Sequence, residues 1–101
     1  MTETLSVADV LERAADLIEP EGAWTQGDYV GPNGRCWCVL GAIKRAGHFH
    51  NDINPAALAL KDVVGKTWLH EWNDAPERTQ AEVVAKLREA ATLSRSREDA
   101  E

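Results

Sequence analysis

A chain of 101 residues and 11.1 kDa accommodates one domain and leaves no room for a second. Hydrophobic residues make up 44% and charged residues 28%, a globular composition that excludes collagen-like, coiled-coil and wholly disordered chains. Eleven basic residues against 17 acidic ones give a net charge of −6, which excludes a protein that grips nucleic acid by direct charge, since such binding rests on clustered Lys and Arg.

In chain order, the first predicted helix opens at Ser6, an N-cap with Asp9 at the third helical position. Val7, Val10, Leu11, Ala14, Leu17 and Ile18 then recur at three-and-four spacing and form one apolar stripe, which Pro20 and Gly22 end. From Glu21 to Arg35 the helical period is lost. The Gly31-Pro32-Asn33-Gly34 run is a turn signal, so Asp28–Val30 and Arg35–Trp37 are expected to pair as a short hairpin. Val39, Ala42, Ile43 and Ala46 share a face of a second helix over Cys38–Ala46, with Gly47 as its C-terminal cap. Asn54-Pro55 starts a third helix that uses Ala57, Leu58, the stem of Lys61 and Val64, and stops at Gly65. Lys66–Glu77 is ambiguous. Thr79-Gln80-Ala81-Glu82 is a capping box for a last helix running on Val83, Val84, Leu87, Ala90 and Ala91 to about Leu93.

The expected fold is therefore mainly α. It is a small single domain of about four helices over 1–93, with a short β-hairpin or irregular insert between the first two, and a charged, fraying tail over 94–101. No run of 18 apolar residues exists, so no membrane span is expected. Met1–Val10 lacks the basic start and apolar stretch of a secretory leader, so a cytoplasmic address in a bacterial cell is expected. Cys36 and Cys38 have one residue between them, too few for an unstrained disulfide, and both are expected as thiols.

Several segments together resemble a family. They are Ala14-Ala15-Asp16-Leu17-Ile18, Trp24-Thr25-Gln26-Gly27, Trp37-Cys38-Val39-Leu40-Gly41-Ala42-Ile43, and Trp72-Asn73-Asp74 leading to Arg78-Thr79 and Val83. Their order and spacing resemble an uncharacterised domain of unknown function found mainly in actinobacteria and their phages. The resemblance spans about Leu11 to Ala91. It implies a leading helix, a Trp-Gly loop, a helix starting at the cysteine, and a Trp-Asn-Asp segment capping a final helix. The insert between the Trp-Gly loop and the cysteine helix is shorter here than is usual for that family. The resemblance implies an accessory protein of a phage or actinobacterium, but no chemistry.

Three constellations are candidates for a site. Cys38 at a helix N-terminus could be a thiolate nucleophile, with His48, His50 or His70 as base and Asp74 as orienter; equally, it is a small apolar residue packed at a helix start. Cys36, Cys38, His48 and His50 are donors that suit zinc, at a spacing unlike a familiar finger; equally, the two histidines belong to a polar loop. Trp24, Trp37, Trp68 and Trp72 form an unusual set in a chain with one Tyr and one Phe. Trp68 and Trp24 are the candidate partner-binding residues, with core packing the alternative. Asn73-Asp74 is expected to shape the turn into the Thr79-capped helix. The acidic residues of the first helix, Asp9, Glu12, Asp16 and Glu19 among them, read as a solvated face.

No catalytic or metal residue is assigned on this basis and no cofactor is called for. The reading that results is a non-catalytic protein-binding module, a monomer or small homo-oligomer, whose acidic charge favours a basic or mixed-charge partner. The alternatives are a small cysteine hydrolase or transferase using Cys38, and a zinc-stabilised binding module.

Overall fold

The computed structural model describes residues 6–27, 36–47, 55–65 and 68–99. Helix α1, Val7–Ile18, begins where the sequence places it: Ser6 is extended, and its side chain accepts the Asp9 backbone N–H at 3.1 Å. The stripe of α1 buries Ala8, Val10, Leu11, Ala14, Ala15 and Ile18. The helix closes with the Glu19 N–H on Ala15 O, after which Gly22 takes a positive φ of 80° in the exit turn.

Next comes a stretch held by one parallel β-bridge between Trp24 and Trp37. Thr25 N donates to Trp37 O at 3.0 Å, and Trp37 N donates to Ala23 O at 2.8 Å. Among the described residues Trp37 pairs with the segment around Trp24 and runs parallel to it, and this bridge is not part of a hairpin, which needs an antiparallel neighbour. Residues 28–35, which hold the expected turn and first strand, lie outside the described residues.

Helix α2, Val39–Gly47, and helix α3, Pro55–Val64, lie where the sequence places them, but α3 buries Ala56 and Leu60 instead of the expected face of Ala57, Leu58, Lys61 and Val64, and Leu58 is exposed. Gly65 terminates α3 with φ 104°, its N–H on Lys61 O at 3.1 Å, a left-handed exit that favours glycine. The ambiguous stretch resolves into a short helix, α4, Leu69–Asp74. Helix α5 spans Gln80–Asp99, with the Glu82 N–H on Thr79 Oγ1 at 3.2 Å, one half of the expected capping box, while the Glu82 carboxylate pairs with Arg78. The fold therefore has five helices among the described residues, one more than expected.

Helix α5 also runs beyond Leu93, where the apolar period stops. Ser94 is buried there, and Arg95 reaches Asp9 and Glu12 of α1 at 3.4 and 3.3 Å. Cross-helix charge thus continues the helix after its apolar stripe has ended.

Helix α1 is the centre of the assembly, packed on α5, α2 and α3, while α4 rests on α2 and α3. Alanine recurs at the contacts: Ala8, Ala14, Ala15, Ala42, Ala56, Ala90 and Ala91 are all buried. Leu11, Ile18, Ile43, Leu60 and Leu87 fill the space between them. Small residues let helix axes approach closely, so a modest number of branched side chains completes the core. On the outer side of the α1–α5 seam, Arg88 donates to Glu12, Asp16 and Glu19 at 2.9, 3.0 and 2.7 Å. The acidic face of α1, read as solvated, is therefore in part an ion-paired seam.

No helix among the described residues is long and apolar enough to cross a membrane.

Candidate functional site

Three of the segments that carry the family resemblance, at Trp24–Gly27, Trp37–Ile43 and Trp72–Asp74, meet at Asn73. This side chain sits on α4, is fully buried, and has its bonding capacity well used. Its Oδ1 accepts the indole N–H of Trp24 at 2.7 Å and the backbone N–H of Val39 at 3.0 Å. Its Nδ2 donates to Thr25 O and to Asp74 Oδ1, both at 3.0 Å. Gln26 Nε2 donates to Asn73 O and Ala75 O, each at 2.9 Å, and Gly27 N donates to Asp74 Oδ1 at 2.9 Å. The Trp-Gly loop, the start of α2 and the end of α4 are thereby clasped together.

Asn73 thus differs from its expected part as a local turn former. It satisfies a free N–H at the N-terminus of a helix 34 residues earlier in the chain. Beyond it, Arg78 lies over the Trp72 ring at 4.4 Å, donates to Trp72 O at 2.8 Å and pairs with Glu82 at 2.6 Å. Arg78 joins the clasp to the first turn of α5. A buried asparagine with two distant acceptor duties has no signature in a single sequence, which is why its reach was missed.

Cys38 stands immediately before α2 and is buried. Its Sγ accepts the Gly41 N–H at 3.4 Å, the position of an N-cap acceptor. Burial pushes this thiol above its ordinary value, outweighing the lowering effect of the N–H groups of Gly41 and Leu40; Asp74 pushes it further up. The helix N-terminus favours a thiolate, but desolvation is the larger influence. Cys36 is half-buried, and both cysteines are free thiols.

The other candidate catalytic residues are occupied elsewhere. Asp74 holds Gly27 and Asn73. His70 is exposed, its ring 6.4 Å from that of Trp68, and among the described residues it makes no hydrogen bond to Cys38 or Asp74. His48 and His50, candidate bases and half of the candidate zinc set with Cys36 and Cys38, lie outside the described residues. Among the described residues no three His, Cys, Asp or Glu side chains group to hold a metal ion.

The tryptophans divide by environment. Trp72 is buried, while Trp24 and Trp37 are half-buried and packed against the core. Trp68, just before α4, is 65% exposed, and Leu58 on α3 is 52% exposed. Lys61 Nζ lies 4.9 Å from the centroid of the Trp68 ring. Leu40, Ala57, Leu58, Lys61, Trp68, Leu69 and His70 surround a depression of about 170 Å³ where α2, α3 and α4 meet.

Fold and clasp together define a small helical domain in which an asparagine ties a tryptophan loop to the start of an internal helix. Residues 2–93 match the Family of unknown function (DUF6197), and the chain belongs to that family. No curated protein and no solved structure matches it.

Proposed function

We propose that this chain is a non-catalytic protein-binding module whose contact surface is centred on Trp68. The observation that carries this reading is the exposure of Trp68 beside Leu58. Holding an indole in water forgoes the stabilisation of burying it, and tryptophan is the residue most enriched at energetic centres of interfaces. The clasp supports the same reading, since Asp74 joins two segments, Cys38 caps its own helix, and His70 makes no hydrogen bond to either among the described residues. The resemblance to actinobacterial and phage proteins suggests an accessory role on a host component.

The test compares proteins retained from a host lysate by the full chain and by Trp68→Ala, with far-UV circular dichroism checking the fold. A specific protein retained by the native chain and lost from a folded Trp68→Ala variant is the expected result. Identical retention by both overturns the reading.

A further inference from the structure

The depression under Trp68 has a chemistry of its own, and naming it deepens the proposed binding role, on which it rests. Its lining is largely apolar, with Leu40, Ala57 and Leu69, and includes Lys61 and His70. Lys61 is held over the Trp68 ring, and no carboxylate among the described residues lies within ion-pair distance of it. Asp62, the next residue on α3, lines a different depression with Val7, Pro55 and Arg97. Within a chain of net charge −6, this sets one lysine cation beside a mainly apolar depression.

Size narrows the occupant. Sites for drug-sized ligands run from about 300 to 1,000 Å³, whereas a cavity of about 150 Å³ admits benzene. The present 170 Å³ therefore suits one branched or aromatic side chain. The Lys61 ammonium and an imidazole N–H are donors, and charge-assisted bonds from such donors favour a carboxylate.

We infer that this depression takes a partner peptide segment bearing a large apolar side chain next to a carboxylate. The apolar group enters between Leu40, Ala57 and Leu69, and the carboxylate meets Lys61. The carboxylate is the partner's C-terminal one, which sits on the same residue as the apolar side chain and so lies nearest to Lys61 on the depression's own lining.

The experiment titrates the isotopically labelled full chain with three peptides: acetyl-Gly-Ser-Gly-Leu with a free carboxylate, the same peptide amidated, and acetyl-Gly-Leu-Glu-Gly-amide. Nuclear magnetic resonance follows the Trp68 indole N–H, assigned with Trp68→Phe, and the amides of residues 57–61. Saturable shifts from the free-carboxylate peptide, about tenfold weaker for the amidated one and for the internal-Glu peptide, are the expected result. Tighter binding of the internal-Glu peptide overturns the assignment to a C-terminus. Lys61→Met keeps the packed stem and should remove the advantage of the carboxylate. No saturable shift, equal binding of the amidated peptide, or an unchanged preference in Lys61→Met overturns the inference. If the peptides fail while Trp68→Ala still loses a protein partner, the inference falls and the binding role stands. Identical retention by native chain and Trp68→Ala removes the binding role, whatever the peptides do.

Discussion

Trp24 and Asn73, 49 residues apart in sequence, are joined by a 2.7 Å hydrogen bond from the indole N–H to the carboxamide oxygen. The same oxygen receives the first N–H of α2 at 3.0 Å. One buried acceptor therefore serves two donors from two different segments. Leaving a buried donor without a partner costs about 1–3 kcal/mol, so this atom is a point where the domain is vulnerable.

Asn73→Ala should lower stability by about 3 kcal/mol or more, because it orphans the Trp24 and Val39 N–H groups and the Thr25 carbonyl together. Urea unfolding measures this, with an unchanged m-value if the native fold persists. A loss below about 1 kcal/mol, the size expected of a surface change, would sink the clasp as a stabilising element.

Cys38 should resist alkylation in the native protein, reacting about tenfold or more slowly than Cys36, since only an exposed thiolate reacts readily. Mass spectrometry after timed labelling distinguishes the two sites. Burial raises the folded-state pKa of Cys38 above the ordinary value of 9.0. The corresponding stability is fully present below that pH and is lost as pH rises from it through the folded pKa, because the unfolded chain releases its proton first. Cys38→Ser, which retains an N-cap acceptor, should flatten this alkaline decline. An equally steep decline in the serine variant would place its origin in another group.

Arg88→Ala removes three carboxylate partners at once, Glu12, Asp16 and Glu19. All four side chains are a third or more exposed, so solvent screens the network, and the expected loss is about 1 kcal/mol. The difference from the native chain should shrink in 1 M salt, where the screening length falls to about 3 Å. Thermal melts at low and high salt read it directly; a salt-independent difference would assign the effect to packing of the arginine stem.

Ending the chain at Leu93 removes the last turns of α5, including buried Ser94 and the Arg95 pairs to Asp9 and Glu12. The expected loss of about 1 kcal/mol corresponds to about 4–8 °C in Tm for a domain of this size. An unchanged Tm would show that these turns add nothing to the body of the domain.

Local signals were legible in the sequence and distant ones were not. The start of α1 could be read because Ser6 and Asp9 lie within one turn and the stripe from Val7 to Ile18 repeats without interruption. The start of α5 was legible for the same reason, through Thr79 and Glu82. Helix α4 escaped because it has six residues and no side-chain cap; its order comes from Asn73 and its distant partners, which no periodicity records. The extension of α5 escaped because its supports, Asp9 and Glu12, are on another helix. Among the candidate site residues, Trp68 could be singled out by type, but its exposure depends on where α3 and α4 meet. The fate of Cys38 turned on a competition between helix end and burial, and only packing decides that.

The parallel bridge of Trp24 with Trp37 has a consequence for chain length. Both ends of the intervening stretch are anchored, one through Thr25, Gln26 and Gly27 on the clasp, the other through Trp37 on the bridge and Val39 on Asn73. Lengthening a connection between fixed ends costs only about 0.6 kcal/mol for each doubling of its length. Insertions between Gly27 and Cys36 should therefore leave the helices in place, so relatives are free to carry longer segments there, and a peptide tag or reporter can be grafted at the same point without unseating Asn73.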